Sequence, residues 1–410
     1  MLNKLIALGL VLGLIVGLGA SMTGNSLLQG IARESAPLGQ LFINAIKMVV
    51  LPLVVTVIFA SIAKLGEPAK LGKIGGRTLV FYWVSLVPAI IIGMTVMWVG
   101  LKFTPDITVP DADPAKIPEL QGITDFLVSL IPPNPFAAAA NGALLPLIVF
   151  TALLAAATGT LATEKRARLI TGAEDLSEAL IKMVWWILYL APVGIFGLIA
   201  PATAKMGWGL LQSLSVFIVC VFIGLCILLV LVFLPLNLII GKTGPRKFFK
   251  GVWGAISVAF STTSTAAAIP VSLKESTENL NVRESVADIL IPLGASLYRP
   301  GSALFQGAAI VFLAHIFDVP LSLADAGAII LATFLVSLTV APVPSSSIVT
   351  MAPALSSIGV PATGLGILFG IDRIPDMMRT CVNVIGQITT AVIIDKSTDV
   401  DLEDQEVQDE

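Results

Sequence analysis

Between Gly364 and Ile394 runs an apolar segment long enough to cross a bilayer, yet it contains Asp372, Arg373, Asp376, Arg379, Asn383 and Gln387. At about 3.6 residues per turn, Asp372, Asp376, Arg379 and Asn383 share one helical stripe, with Thr380 and Gln387 close to it. That stripe cannot face lipid, because each charge at the bilayer centre costs about 2.5–3.5 kcal/mol on insertion scales. Two Asp and two Arg in one span need each other, water or a ligand. The residues admit two readings: a paired cluster that holds a helix bundle together, or a midplane site for a zwitterionic or anionic solute.

The rest of the chain decides the setting of that stripe. With 56% hydrophobic and 12% charged residues and a mean hydropathy of +0.95, 410 residues carry too little polar surface for a soluble globule. A polytopic, all-α membrane protein is expected. The net charge of -3 comes without a basic, aromatic-rich patch, so no nucleic-acid partner is expected. Cys220, Cys226 and Cys381 lie in apolar segments without metal-ligand spacing and read as buried structural thiols, with no metal or cofactor implied. The run after Lys4 resembles a signal peptide but has no clear small-residue cleavage site, and is read as a retained first span.

Apolar spans are expected at Leu5–Ala20, Leu38–Ala63, Thr78–Leu101, Ile123–Leu161 (broken), Leu176–Ala200 and Leu210–Ile240. Lys64, Lys70, Lys73 and Arg77 fall in the second connection, Lys165, Arg166 and Arg168 in the fourth, and Lys242, Arg246, Lys247 and Lys250 in the sixth. The connection Thr104–Glu119 instead holds Asp106, Asp111, Asp113 and Glu119. The positive-inside rule then sets the even connections and both termini in the cytoplasm of an inner (plasma) membrane protein. The tail Asp399–Glu410 has seven acids and no base and reads as a disordered, solvated end.

Beyond Lys250 the pattern changes. Val252–Leu273 is interrupted by Ser261, Thr262, Thr263, Ser264 and Thr265 and then by Pro270, and Leu331–Leu355 by Pro342, Pro344, Ser345, Ser346 and Ser347. Each interrupted segment precedes a polar-spotted helix, Val286–Phe317 and Gly364–Ile394. That arrangement is the mark of paired re-entrant hairpins in an inverted repeat, with tip hydroxyls that satisfy freed backbone groups or meet a ligand. The helices echo each other, Gly294-Ala-Ser-Leu-Tyr-Arg-Pro300-Gly-Ser302 beside Gly370-Ile-Asp-Arg-Ile-Pro375-Asp376.

These residues resemble the dicarboxylate/amino acid:cation symporters, which include bacterial and archaeal glutamate and aspartate transporters. Gly370–Gly386 is similar to the family's substrate helix and Ala259–Pro270 to its serine-rich first hairpin, and Lys47–Pro52 and Ala191–Phe196 are further matches. The resemblance implies eight transmembrane helices plus two re-entrant hairpins, in a homotrimer that works as an elevator within membrane lipid. Residues 1–77 would be scaffold helices one and two, 78–103 the third helix of a mobile transport domain, and 104–205 scaffold helices four and five. Residues 206–396 would complete the transport domain, and 397–410 the acidic cytoplasmic tail.

The resemblance also implies roles. Arg379 is similar to the arginine that grips the side-chain carboxylate of aspartate or glutamate, and Asp376 to the acid that binds the ammonium. Thr380 and Asn383 match further contacts, Ser302 stands where a threonine contacts substrate, and the tips Thr263, Ser264, Thr265 and Ser345, Ser346, Ser347 match the gates. Independently of resemblance, a guanidinium takes a carboxylate bidentately and a carboxylate attracts an ammonium. Members for C4-dicarboxylates lack an acid at the Asp376 position, so an acidic amino acid is favoured. Arg373 stands where many bacterial members keep an arginine, and Phe260 where archaeal relatives tend to place theirs.

Departures from the family pattern bear on coupling. Sodium-coupled members carry Asn-Met-Asp where this chain has Tyr298-Arg299-Pro300, an aspartate where it has Gln387, and a threonine where it has Val340. Tyr82, Ser85, Ser296 and Ser337 leave only neutral oxygens for a hard cation, beside an added arginine. Arg299 is expected to act as a built-in cation. Proton coupling without sodium follows as the expected mode, the alternatives being sodium coupling through one residual site or C4-dicarboxylate transport. The acidic carrier position of proton-moving relatives is Gln306 here, which leaves Asp376, Asp372 or His315 as candidate carriers, although Asp372 and His315 are expected to be structural. The sequence shows no repeated carbonyl or charged ring as a pore would need. It shows no nucleophile with a base partner as a hydrolase would need.

Overall fold

The computed structural model describes residues 2–65, 68–105, 128, 131–140, 144–321, 323–338, 340, 345–356, 358–361 and 364–397. The acidic connection beyond 105, Pro342, Pro344 and the 398–410 tail lie outside the described residues. In chain order the helices are α1 (Leu2–Thr23), α2 (Ser26–Leu65), α3 (Pro68–Gly100), α4 (Pro135–Ala140), α5 (Leu144–Gly159) and α6 (Thr163–Leu228). They continue as α7 (Leu234–Ile239), α8 (Pro245–Gly251), α9 (Trp253–Thr262), α10 (Thr265–Glu278), α11 (Glu284–Leu297) and α12 (Pro300–Ile316). The last five are α13 (Leu323–Ser337), α14 (Ser346–Thr350), α15 (Ala352–Ser356), α16 (Gly364–Ile371) and α17 (Arg373–Ser397). Among the described residues these helices are joined by turns and irregular segments, with no strand.

Three stretches among the described residues are long and apolar enough to cross a membrane: Val80–Phe103, Tyr189–Ile239 and Arg373–Ser397. The apolar window of the last is 89% buried, against 39% for the other two, so α17 is enclosed by protein where the others present a face outward. The helices also run past the expected spans. Lys70, Lys73 and Arg77 lie on the first turns of α3, and Lys165, Arg166 and Arg168 on those of α6, rather than in connections. The expected break between Ala200 and Leu210 narrows to Gly207, whose φ of 61° and ψ of -146° bend α6 into two arms. That conformation is open in practice only to glycine.

The packing is built on close glycine approaches. In α1, Gly9 and Gly17 lie on the backbone of α6 at Pro192 and Ala200, and Gly39 of α2 lies on Gly197. A second set joins α3 to α12: Gly93 meets the carbonyl of Leu304, and Gly307 that of Ile90. Gly301 sits against the carbonyl of Arg379, fixing the start of α12 on α17. By contrast, Gly366 and Gly370 of α16 meet only side-chain atoms of Leu198, Ile199 and Leu10.

The first interrupted segment is a helical hairpin. Thr263 turns the chain with φ 53° at the end of α9, and Ser264 caps α10 by accepting from Ala267 N at 3.3 Å. At the open end, Glu275 of α10 accepts from Gly254 N (2.7 Å) and Ala255 N (2.8 Å) at the start of α9. This side chain satisfies two of the orphan donors of a helix N-terminus. The break thus falls at Thr263–Ser264 and not at Pro270, through which α10 continues. In the second segment, residues 341–344 lie outside the described residues, and Ser345, with φ 59°, opens α14.

Candidate functional site

The polar stripe of α17 faces inward. Asp372, Asp376, Arg379, Thr380, Asn383 and Gln387 are all buried, while Ile374 is exposed on the opposite face. Asp372 marks a break between α16 and α17, but its carbonyl still accepts from Asp376 N at 2.8 Å, so the helical direction is kept.

Arg379 is the centre of the cluster. Its Nη1 lies 2.6 Å from Asp372 Oδ1 and its Nη2 2.8 Å from Asp376 Oδ1, with a further donation from Nη2 to Asp372 Oδ2 at 3.3 Å. Phe305 of α12 lies under the guanidinium, its ring centroid 4.2 Å from Cζ, an arrangement that stabilises a desolvated cation. Asp376 Oδ2 accepts from Ser345 N at 3.1 Å, which brings the second segment onto the site. Two carboxylates share one guanidinium, so the buried triad carries one excess negative charge. The described arrangement is the paired one, with both terminal nitrogens of Arg379 on acids of its own helix segment.

Asn383 joins α17 to the start of α12: Gly301 N and Ser302 N donate to its Oδ1 at 2.8 and 3.2 Å, and its Nδ2 donates to Ser302 Oγ at 3.1 Å. Thr265 Oγ1 reaches the carbonyl of Ala295 at 3.4 Å. Arg373 Nη1 donates to Thr263 Oγ1 at 2.9 Å. The bonding partner of Arg373 in the first hairpin is therefore Thr263, three residues beyond Phe260, which is itself exposed. Ser346 and Ser347 are buried on α14. Gln306, expected only as a vacant carrier position, donates to Ser347 O (2.9 Å) and Thr350 Oγ1 (3.1 Å) and so holds α14 on α12.

The elbow between α11 and α12 is built from neutral donors and one arginine. Tyr298 stacks on Tyr82, ring centroids 4.3 Å apart and 9° from parallel, and its hydroxyl lies 2.7 Å from Ser85 Oγ. Gln387 Nε2 donates to Tyr298 O at 3.2 Å, so an amide takes the carbonyl that a cation could otherwise use. Ser296 and Ser337 donate to backbone carbonyls of their own helices, Pro292 O and Phe334 O. Val340 is buried. Arg299 is 2% exposed and donates through Nη2 to Ala295 O. Its Nε and Nη1 have no partner among the described residues, and it forms no ion pair with Asp372 or Asp376.

Elsewhere, His315 Nε2 meets Thr104 Oγ1 at 3.3 Å, joining the end of α12 to the end of α3. Cys220 is buried, Cys226 and Cys381 half-buried, and all three are free.

A bundle of apolar helices folded around a buried charge cluster defines a membrane protein with a polar site in its interior. The chain belongs to the sodium:dicarboxylate symporter family, whose model matches residues 2–397. It is 31% identical over 400 residues to the proton/sodium-glutamate symport protein of Bacillus subtilis, covering 95% of this chain and 91% of that one. It is 30% identical over 408 residues to the proton/glutamate-aspartate symporter of Escherichia coli, with the same coverage. The C4-dicarboxylate transport protein of Bacillus subtilis is likewise 30% identical, over 94% of this chain and 91% of its own.

Proposed function

We propose that this chain is a secondary transporter of L-glutamate and L-aspartate that works without sodium and moves protons with its substrate. The observation that carries the reading is the Asp372–Arg379–Asp376 triad. An arriving carboxylate replaces one acid on the Arg379 fork, and Asp376 takes the ammonium. A dicarboxylate without an amine would bring Asp376 no cation of its own, which favours an amino acid over succinate. The relatives named for glutamate and aspartate support the same choice.

Sodium independence rests on the elbow, where Gln387 and Arg299 already donate to Tyr298 O and Ala295 O. A hard cation there would lack anionic oxygens and meet a guanidinium. In this reading Arg379, Asp376, Thr380, Asn383, Ser302 and the two hairpin tips line the substrate site. Residues 1–77 and 104–205 form a trimeric scaffold in the inner membrane, and residues 78–103 and 206–396 the domain that moves. Both termini are cytoplasmic. The test is uptake of labelled L-glutamate and L-aspartate into proteoliposomes in sodium-free buffer with an imposed proton gradient. Saturable, gradient-driven uptake supports the reading. Uptake only with sodium, or only of C4-dicarboxylates, overturns it.

A further inference from the structure

Arg299 is the one cation in the described interior left without an acid. Its guanidinium is 2% exposed, uses Nη2 on Ala295 O, and has Nε and Nη1 unpartnered among the described residues. Leaving an arginine in that state is unfavourable, because a buried charge without a counter-charge keeps its desolvation cost unrepaid. The surroundings show what would relieve it. Thr265 at the first-hairpin tip donates to the same Ala295 oxygen, so the guanidinium lies beside that tip. Two residues further on, Gly301 packs on the carbonyl of Arg379 and Gly301 N and Ser302 N are held by Asn383. Arg299 thus stands on the segment clamped to the Arg379 stretch of α17. The charges fit the same reading: Asp372 and Asp376 face Arg379 and Arg373, which leaves Arg299 as an unpaired positive charge.

We propose that Arg299 is a second carboxylate anchor of the substrate site, taking the carboxylate that Arg379 does not hold. This rests on the acidic-amino-acid reading above and deepens it. Asp372, Asp376, Arg373, Arg379 and Arg299 together carry one net positive charge, which a substrate with two carboxylates and one ammonium balances. A ligand with a single carboxylate leaves one arginine unrelieved, which makes Arg299 a specificity determinant as well as an anchor.

The test compares the purified full-length parent with Arg299→Met and Arg299→Lys, reading two quantities: calorimetric affinity for L-aspartate and L-glutamate, and the thermal midpoint without ligand. The expected result is an affinity loss of at least tenfold for Met with partial recovery for Lys. The unliganded midpoint of the Met variant should be equal to or higher than the parent's, because an unpaired buried charge has been removed. Unchanged affinity in Arg299→Met overturns the proposal. A fall in both affinity and unliganded stability overturns it too and makes Arg299 a structural residue. Failure of the acidic-amino-acid reading is seen separately, in the parent: if it binds neither amino acid but binds succinate, that reading falls and the anchor is judged on the variants' succinate affinity. If the parent binds none of the three, both fall.

Discussion

Arg373 Nη1 donates a 2.9 Å hydrogen bond to Thr263 Oγ1, tying the first turn of α17 to the left-handed residue at the tip of the first hairpin. The hairpin tip is therefore positioned by a side chain of the helix that carries Asp376 and Arg379. Thr263→Val should remove this tie at a cost of about 1.5–3 kcal/mol, the range for a hydrogen bond to a charged group, and a double-mutant cycle with Arg373→Ala should show the coupling. Faster amide exchange confined to residues near the tip is the measurement; equal exchange in parent and variant would show that the bond holds nothing.

The two anchors within the triad should separate by ligand. Arg379→Ala should abolish binding of acidic amino acids and lower the unliganded thermal midpoint, because it removes a charge-assisted fork from a dry site and leaves Asp372 and Asp376 without their shared cation. Asp376→Asn should weaken L-glutamate and L-aspartate far more than succinate. Calorimetry with all three ligands decides it, and equal losses would make Asp376 structural.

Sodium should leave affinity unchanged. A tenfold or greater gain in L-aspartate affinity on adding sodium, about 1.4 kcal/mol of coupling, would contradict the elbow's hydrogen bonding as the reason for sodium independence.

Glu275 closes the open end of the first hairpin through Gly254 N and Ala255 N. Its replacement by alanine should cost about 1.5–3 kcal/mol, the range for hydrogen bonds to a charged group. The amides of Gly254 and Ala255 should lose their exchange protection, and Glu275→Gln should restore part of it.

Gly207 occupies a backbone region that any other residue enters at a cost of about 1–3 kcal/mol. Gly207→Ala should lower the thermal midpoint of the protein, whereas Ala at Gly172, where the space is open, should not.

The stripe on α17 was legible because its spacing is a property of one helix, and the structure buries each of its members. The first hairpin was legible through its hydroxyl cluster, where the turn falls, but the second interruption expected at Pro270 is absent: a helix tolerates proline where neighbouring groups re-satisfy the freed carbonyl. Glu275 and Gln306 could not be read as clamps, since their partners lie on other elements and come near only through packing. The same holds for Arg373, whose partner Thr263 lies 110 positions away. The arms of α6 were read as two spans, yet nothing in the local sequence chose Gly207 over Gly209 as the bend.

The glycines divide the helix contacts into two mechanical kinds. Where Gly9, Gly17 and Gly39 touch α6, and where Gly93 and Gly307 join α3 to α12, backbone rests on backbone, and relative displacement would have to separate main chains. Where α16 crosses α6 and α1, Gly366 and Gly370 rest only on the branched ends of Leu198, Ile199 and Leu10. The methyl groups at such ends rotate on a picosecond to nanosecond scale. The proposed scaffold and mobile domain would then each be rivetted internally and meet across a lubricated joint, so that the friction opposing a stroke is set by methyl rotation rather than by hydrogen bonds that must be broken and remade.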